Sequence, residues 1–238
     1  MSTEKPSIPC QRTRSERMKC TFYKLGLVDY EEAYDLQKRI WAEKVAGKED
    51  DTLLLLEHNP TLTLGKSGKL ENLHVERDEL SRKRISLYFT DRGGDITYHG
   101  PGQLIVYPIV DLRRRDKDIH RYINDLQEGI INTLADFSID GEKDQKYVGV
   151  WVGKDKICAI GVAVHKWITM HGLALNVNPD LDSFSIITPC GIVGRGVTSM
   201  AKLRDQVPAM EEVITRFLAH FSQVFSLTME QGTIDQLR

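Results

Sequence analysis

The sequence predicts an α+β fold, with helices packed on a mixed β-sheet. Segments of helical period are interspersed with short apolar runs of strand character. The runs outnumber the helices and do not alternate strictly with them, which suggests helices packed on a mixed sheet. With 238 residues, 41% hydrophobic and 28% charged, the chain has the composition of one ordinary globular domain.

In the first helix Tyr30, Ala33, Tyr34, Ile40, Trp41 and Val45 recur near the 3.6-residue period, and Gly47 follows as a stop. The run 52–57 is nearly all apolar, as a strand covered on both faces would be, and 85–89 and 104–110 read the same way. In the second helix Ile119, Ile123, Leu126, Ile130, Leu134 and Phe137 step by threes and fours. The runs 148–152 and 156–164 flank Gly153-Lys154-Asp155, a hairpin turn, and 173–177 is a further strand that stops at Asn178-Pro179. The third helix runs from about Met210 to Phe225, with Val213, Phe217, Leu218, Phe221, Val224 and Phe225 on one side. Each helix has a single apolar face and is expected to cover a sheet.

The folded domain is expected over 21–227, followed by a polar tail over 228–238. Residues 1–20 carry Arg12, Arg14, Arg17 and Lys19 and have the flavour of a mitochondrial transit peptide. Glu4, Glu16, Pro6 and Pro9 break the acid-poor, amphipathic character such a peptide needs, so a disordered leader is expected. No secretory signal is expected at this end.

Lys and Arg number 32 against 34 Asp and Glu, a net charge of −2, which argues against a general nucleic-acid binder. No apolar run approaches the ~20 residues of a membrane-spanning helix. Cys10, Cys20, Cys158 and Cys190 form no CxxC pair and read as free thiols of a reducing cytoplasm. The seven histidines are dispersed, without H-x-H or H-E-x-x-H, so no metal site is expected. G-x-S-x-G and P-loop patterns are absent. The basic run Arg113-Arg114-Arg115 reads as a solvated face, or a contact for an acidic partner.

Chemistry concentrates in two places. Arg92-Gly93-Gly94-Asp95-Ile96-Thr97-Tyr98-His99-Gly100-Pro101-Gly102-Gln103 holds four of the 18 glycines in 12 residues. Glycine clusters let a backbone approach a ligand closely and expose its N–H groups, although a tight hairpin would use glycines for their φ alone. The second place is Thr188-Pro189-Cys190-Gly191, where Pro189 and Gly191 suit the presentation of a side chain at a strand end. Cys158 lies in the apolar run Ile157-Cys158-Ala159-Ile160 and reads as core, while Cys10 and Cys20 read as incidental. A cysteine nucleophile needs a His or a cation to favour its thiolate, and His99, His165, His171, Lys156 and Lys166 are the candidates. Spacing does not decide among them.

The segment 92–103 followed by Leu104-Ile105-Val106-Tyr107-Pro108 resembles the signature of the lipoyl (octanoyl) transferases of lipoate biosynthesis. Lys156-Ile157-Cys158-Ala159-Ile160-Gly161, His171-Gly172-Leu173-Ala174-Leu175-Asn176-Val177 and Pro189-Cys190-Gly191 match further motifs in the same order. Leu56-Glu57-His58-Asn59-Pro60 and Gly65-Lys66 fit an earlier one, and the likeness runs from about Thr21 to Phe225.

The resemblance implies the fold of lipoate and biotin protein ligases, a mixed α/β sandwich. It implies transfer of an octanoyl group from octanoyl-acyl carrier protein to a lysine of a lipoyl domain, through an acyl-thioester on the enzyme and with no cofactor. The acceptors implied are the lipoyl domains of 2-oxoacid dehydrogenases and the glycine cleavage H protein, in the cytoplasm, with no nucleic-acid or membrane partner. Cys190 matches the nucleophile and Lys156 its activating partner. Arg92, Gly93, Gly94, Asp95, Ile96, Thr97, Tyr98 and His99 match the substrate-binding segments, with Ala159, Ile160, Gly161, Gly172, Leu173 and Ala174. Relatives often carry arginine two residues after the glycine matching Gly161; this chain has Ala163 there. An octanoyl chain buries about seven carbon groups at ~0.8 kcal/mol each, so an apolar slot is expected, with Ile157, Ile160 and Val162 as lining. The alternatives are an ATP-dependent lipoate or biotin ligase of the same fold, or an inactive acyl- or carrier-binding protein.

Overall fold

Successive side chains of a strand point to opposite faces, and both faces of the apolar run 52–57 are covered. Leu53 and Leu55 pack with Leu126, Ile130, Phe217 and Phe221, whereas Leu54 and Leu56 pack with Ala33 and Ile40. The computed structural model describes residues 18–48, 50–192 and 194–237, Cys190 by its main chain. In chain order the elements are β1 (Met18–Val28), α1 (Tyr30–Val45), β2 (Asp51–His58), β3 (Thr61–Leu64), α2 (Arg77–Arg82), β4 (Ser86–Phe89), β5 (Ile96–His99) and β6 (Gln103–Ile109). There follow α3 (Ile119–Ala135), β7 (Glu142–Lys143), β8 (Val150–Val152), β9 (Asp155–His165), β10 (Ile168–Asn176), α4 (Met200–Leu203), α5 (Met210–Val224) and β11 (Leu227–Gln231).

An 8-stranded sheet has the order β11-β1-β2-β6-β10-β9-β8-β7, and a 3-stranded sheet the order β4-β3-β5. In the large sheet β1 pairs parallel with β11 and β2, and the other neighbours run antiparallel. The expected mixed sheet is therefore present. One face is covered by α3 and α5, whose apolar residues join Leu104, Val106, Leu173 and Leu175; the other is covered by α1 over Ile105, Tyr107 and Ala174. The small sheet has its own core of Leu62, Leu64, Ile96, Tyr98, Phe184 and Ile186.

Several expectations are corrected. Strand β1 begins at Met18 and β11 extends to Gln231, so ordered strands reach past the expected bounds at 21 and 227; the rest of the expected leader, with Cys10, lies outside the described residues. Cys20 is fully buried in β1 rather than incidental. The run 85–89 is not covered on both faces, because β4 is the edge of the small sheet and Phe89 is 63% exposed. Arg113 and Arg115 are not a free basic face: they bond Asp111 at 2.7 Å and Asp51 at 3.0 Å.

Candidate active site

A cavity lies between the small sheet and the α1 face of the large one. Its floor is made of small residues: Ala159 pairs with Ala174 and Gly161 with Gly172 across β9 and β10. Alternation puts both pairs on one face. The walls are Arg92, Gly93, Gly94 and Asp95, with Thr97 and His99 of β5, Thr63 of β3, and Tyr30, Tyr107 and His171. Of the residues matched to substrate binding, Ile160 and Leu173 also border it, but Ile96 and Tyr98 do not. These two point the other way, into the core of the small sheet, because β5 alternates. Of the three apolar residues expected to line the slot, Ile160 borders it, whereas Ile157 and Val162 do not. All three pack on the α3–α5 side, so the slot is created by the smallness of Ala159, Gly161 and Ala174.

The glycine segment is fixed from outside, since Gly94 has φ +91° and cannot set its own conformation. Gly93 N–H donates to Val162 O at 2.9 Å, and Lys66 N–H to Arg92 O at 2.9 Å. The Arg92 guanidinium donates to Thr63 O at 2.6 Å and Asp95 O at 2.7 Å, and to the Thr63 hydroxyl at 2.8 Å. That hydroxyl also meets His99 Nε2 at 3.2 Å. Gly65 lies so close to Gly94 O that no side chain fits there.

The segment is joined to the turn Pro189–Gly191, which packs against β5. Asp95 Oδ2 accepts from Asn72 Nδ2 at 2.6 Å, and Asn72 O accepts from Thr188 N at 2.8 Å. A side chain at Gly191 would lie 2.7 Å from Asp95 Oδ2. Farther along, Val197 bridges Lys156: Lys156 N–H donates to Gly196 O and Thr198 N–H to Lys156 O, each at 3.0 Å. Lys156 is buried near the start of β9, its Nζ 4.8 Å from the centre of the Trp151 ring, and Arg195 lies 4.6 Å from the same ring.

His171 Nε2 and His165 Nε2 lie 2.7 and 2.6 Å from the Asp91 carboxylate, which also accepts from Tyr34 OH at 3.1 Å. These bonds, above all that from His171, hold the Asp91 carboxyl well below the usual carboxylate range. Burial pushes the pKa values of His58, His99 and His171 down, that of His58 to about 4, and so disfavours the charged form of each ring. Burial also pushes the Cys158 thiol up, as suits a core cysteine. Among the described residues no cluster of three or more His, Cys, Asp or Glu could hold a metal ion, and no helix is long and apolar enough to cross a membrane.

Sequence reasoning missed Thr63, Tyr30, Tyr107 and His171 as walls. Tyr107 and His171 lie inside matched motifs, which was a usable signal; Thr63 sits in a strand that was not foreseen.

The chain is 47% identical over 207 residues to the octanoyltransferase of Caldicellulosiruptor bescii, covering 86% of this chain and 91% of that one. Its fold is similar to a lipoate protein ligase from Thermoplasma acidophilum, with TM-score 0.72 and 19% identity over 92% of this chain and 90% of the other. The Aquifex aeolicus biotin protein ligase in complex with biotin and ATP gives TM-score 0.51 and 14% identity over 87% of this chain and 70% of that one. These two likenesses bear on the fold. The family model for the lipoyl protein ligase A/B catalytic domain matches residues 29–222, and with that span covered the chain belongs to this family.

Proposed function

We propose that the protein is an octanoyltransferase that carries the acyl group on Cys190. The observation that carries the reading is the small-floored cavity, whose glycine wall is hydrogen-bonded through Asp95 and Asn72 to the Cys190 turn, in a chain 47% identical to an octanoyltransferase. Burial disfavours charge on His99 and His171, the two histidines of the cavity wall, which suits a site that receives an uncharged acyl chain.

In this reading octanoyl-acyl carrier protein is the donor. The Cys190 thiol passes its proton to Lys156, and the thiolate attacks the donor carbonyl. A new C–S bond forms as the donor C–S bond breaks, and the departing carrier thiolate takes the proton. The exchange of one thioester for another is close to neutral in energy and needs no ATP. A lysine amine of a lipoyl domain then attacks. The C–N bond forms, the C–S bond to Cys190 breaks, and the amine proton reaches the leaving thiolate through Lys156. The acceptors would be the lipoyl domains of 2-oxoacid dehydrogenases and the glycine cleavage H protein, and the compartment the cytoplasm.

Incubation with octanoyl-acyl carrier protein, with and without ATP, tests the reading by intact mass. An octanoyl adduct on Cys190 without ATP is the expected result. Transfer that requires ATP would point to the ligase, and neither adduct nor transfer to a binding protein.

A further inference from the structure

His171 interrupts β10 with φ +57°, a left-handed conformation rare for a non-glycine residue. Met170, Gly172 and Ala174 share the α1 face of this strand, and regular alternation would turn His171 to the opposite face. It does not go there. Its main-chain N–H donates to Gln37 Oε1 of α1 at 2.7 Å, and its ring stacks on Tyr34 of α1, centroids 5.3 Å apart and planes at 20°. The left-handed residue thus delivers a ring to a face where alternation would leave none, between the Gly161–Gly172 and Ala163–Met170 pairs. Gly172 next to it can carry no side chain, because a Cβ would collide with Val106 O.

That ring stands between two hollows. On one side is the cavity described above, which His171 borders. On the other is a surface groove lined by Tyr34, Trp41, Asp91, Val164, His165 and Met170. The His171–Asp91 bond of 2.7 Å crosses from one hollow to the other. The His171 side chain is 2% exposed, and that of His165, bonded to the same carboxylate, is 42% exposed. His171 is the inner member of the pair. Along the β9–β10 ladder the floor runs from Ala159–Ala174, nearest Lys156, to Gly161–Gly172. His171 follows at the end farthest from Lys156.

We propose that His171, held by Asp91, is the end wall of the acyl cavity and sets the longest acyl chain the enzyme accepts. The inference rests on the acyl-transfer reading and goes beyond it to chain-length specificity. A chain longer than the floor must displace the ring and break the Asp91 bond, which leaves the half-buried Asp91 carboxylate one partner short. Without the ring, the cavity runs on into the groove over Ala163 and Met170.

The test presents octanoyl- and dodecanoyl-acyl carrier protein to the full-length protein and follows acylation of Cys190 by intact mass. In His171→Gly, where glycine adopts the same φ without strain, the rate ratio of dodecanoyl to octanoyl should rise about ten-fold or more over wild type. His171→Asn, which also tolerates the left-handed region but is too short to bridge to Asp91, should shift the ratio the same way and serves if the glycine variant does not fold. His165→Ala removes the outer partner of Asp91 and should leave the ratio at its wild-type value. Iodoacetamide alkylation of Cys190 should be equal in all four proteins. A wild-type ratio in a folded His171→Gly or His171→Asn protein would overturn the end wall while leaving octanoyl transfer intact. Wild-type protein acylated by neither thioester would overturn the transfer reading, and the end wall with it.

Discussion

Asn72 and Asp95 are joined by a 2.6 Å hydrogen bond from amide to carboxylate, and through Asn72 O to Thr188 N this bond ties the glycine segment to the turn that carries Cys190. Asp95 Oδ1 also accepts from the main-chain N–H groups of Lys69 at 3.1 Å and Ile96 at 2.6 Å. One carboxylate therefore holds two loops and a strand start in register.

Asp95→Ala removes all three acceptor bonds. Leaving partly buried donors unsatisfied costs about 1–3 kcal/mol, and each kcal/mol lowers the midpoint by about 2–4 °C in a domain of this size. Calorimetry should show that loss, and octanoylation of Cys190 should slow. Asn72→Ala should slow octanoylation with a smaller loss of midpoint, since the two main-chain bonds to Asp95 survive.

Gly94 and Gly93 should behave differently. At Gly94 φ is +91°, so any L side chain is strained. At Gly93 a Cβ would sit 3.6 Å from Val162 O, an ordinary contact. Gly94→Val should lose acylation in a protein that still melts cooperatively, while Gly93→Ala should fold at the wild-type midpoint. Acylation at the wild-type rate in Gly94→Val would reduce the segment to a simple turn.

His58 gives a signed pH dependence. Burial lowers its pKa from 6.5 to about 4, and its ring nitrogens meet Val28 O and Tyr107 OH, each at 2.7 Å. The unfolded chain takes up a proton near pH 6.5 that the native state takes up only near 4. The contribution to stability is fully present above pH 6.5 and is lost as pH falls toward 4. At about 1.4 kcal/mol per pH unit, the loss is on the order of 3 kcal/mol. Urea denaturation at a series of pH values should show it in wild type, and a flatter profile in His58→Asn.

Lys156 reports on the thiol. Lys156→Ala should slow alkylation of Cys190 by iodoacetamide near neutral pH by removing a cation that favours the thiolate. Lys156→Arg should retain more of that rate yet fail in transfer to the lipoyl-domain amine, because arginine does not give up a proton at working pH. Superimposable pH profiles for the three proteins would show that Lys156 does not tune the thiol.

Helical period and two-sided apolar runs made α1, α3, α5, β2 and β6 legible. Strand β1 was hidden because Lys19, Thr21 and Lys24 dilute its apolar positions, and β5 because it lies inside a segment that reads as a glycine turn. The matched motifs named most of the cavity wall, but a motif does not state direction. Ile96 and Tyr98 belong to the small-sheet core because only Thr97 and His99 of that strand face the cavity. The left-handed turn at His171 is not legible from residue type, since histidine is enriched at positive φ but most histidines still adopt negative φ.

The central claim is an acyl group carried on Cys190, and the intact mass of the protein after incubation with octanoyl-acyl carrier protein in the absence of ATP tests it most directly. Wild type should gain one octanoyl group, chased off by an added lipoyl domain, and Cys190→Ala should gain none and transfer none. Equal transfer by wild type and a folded Cys190→Ala protein would contradict it.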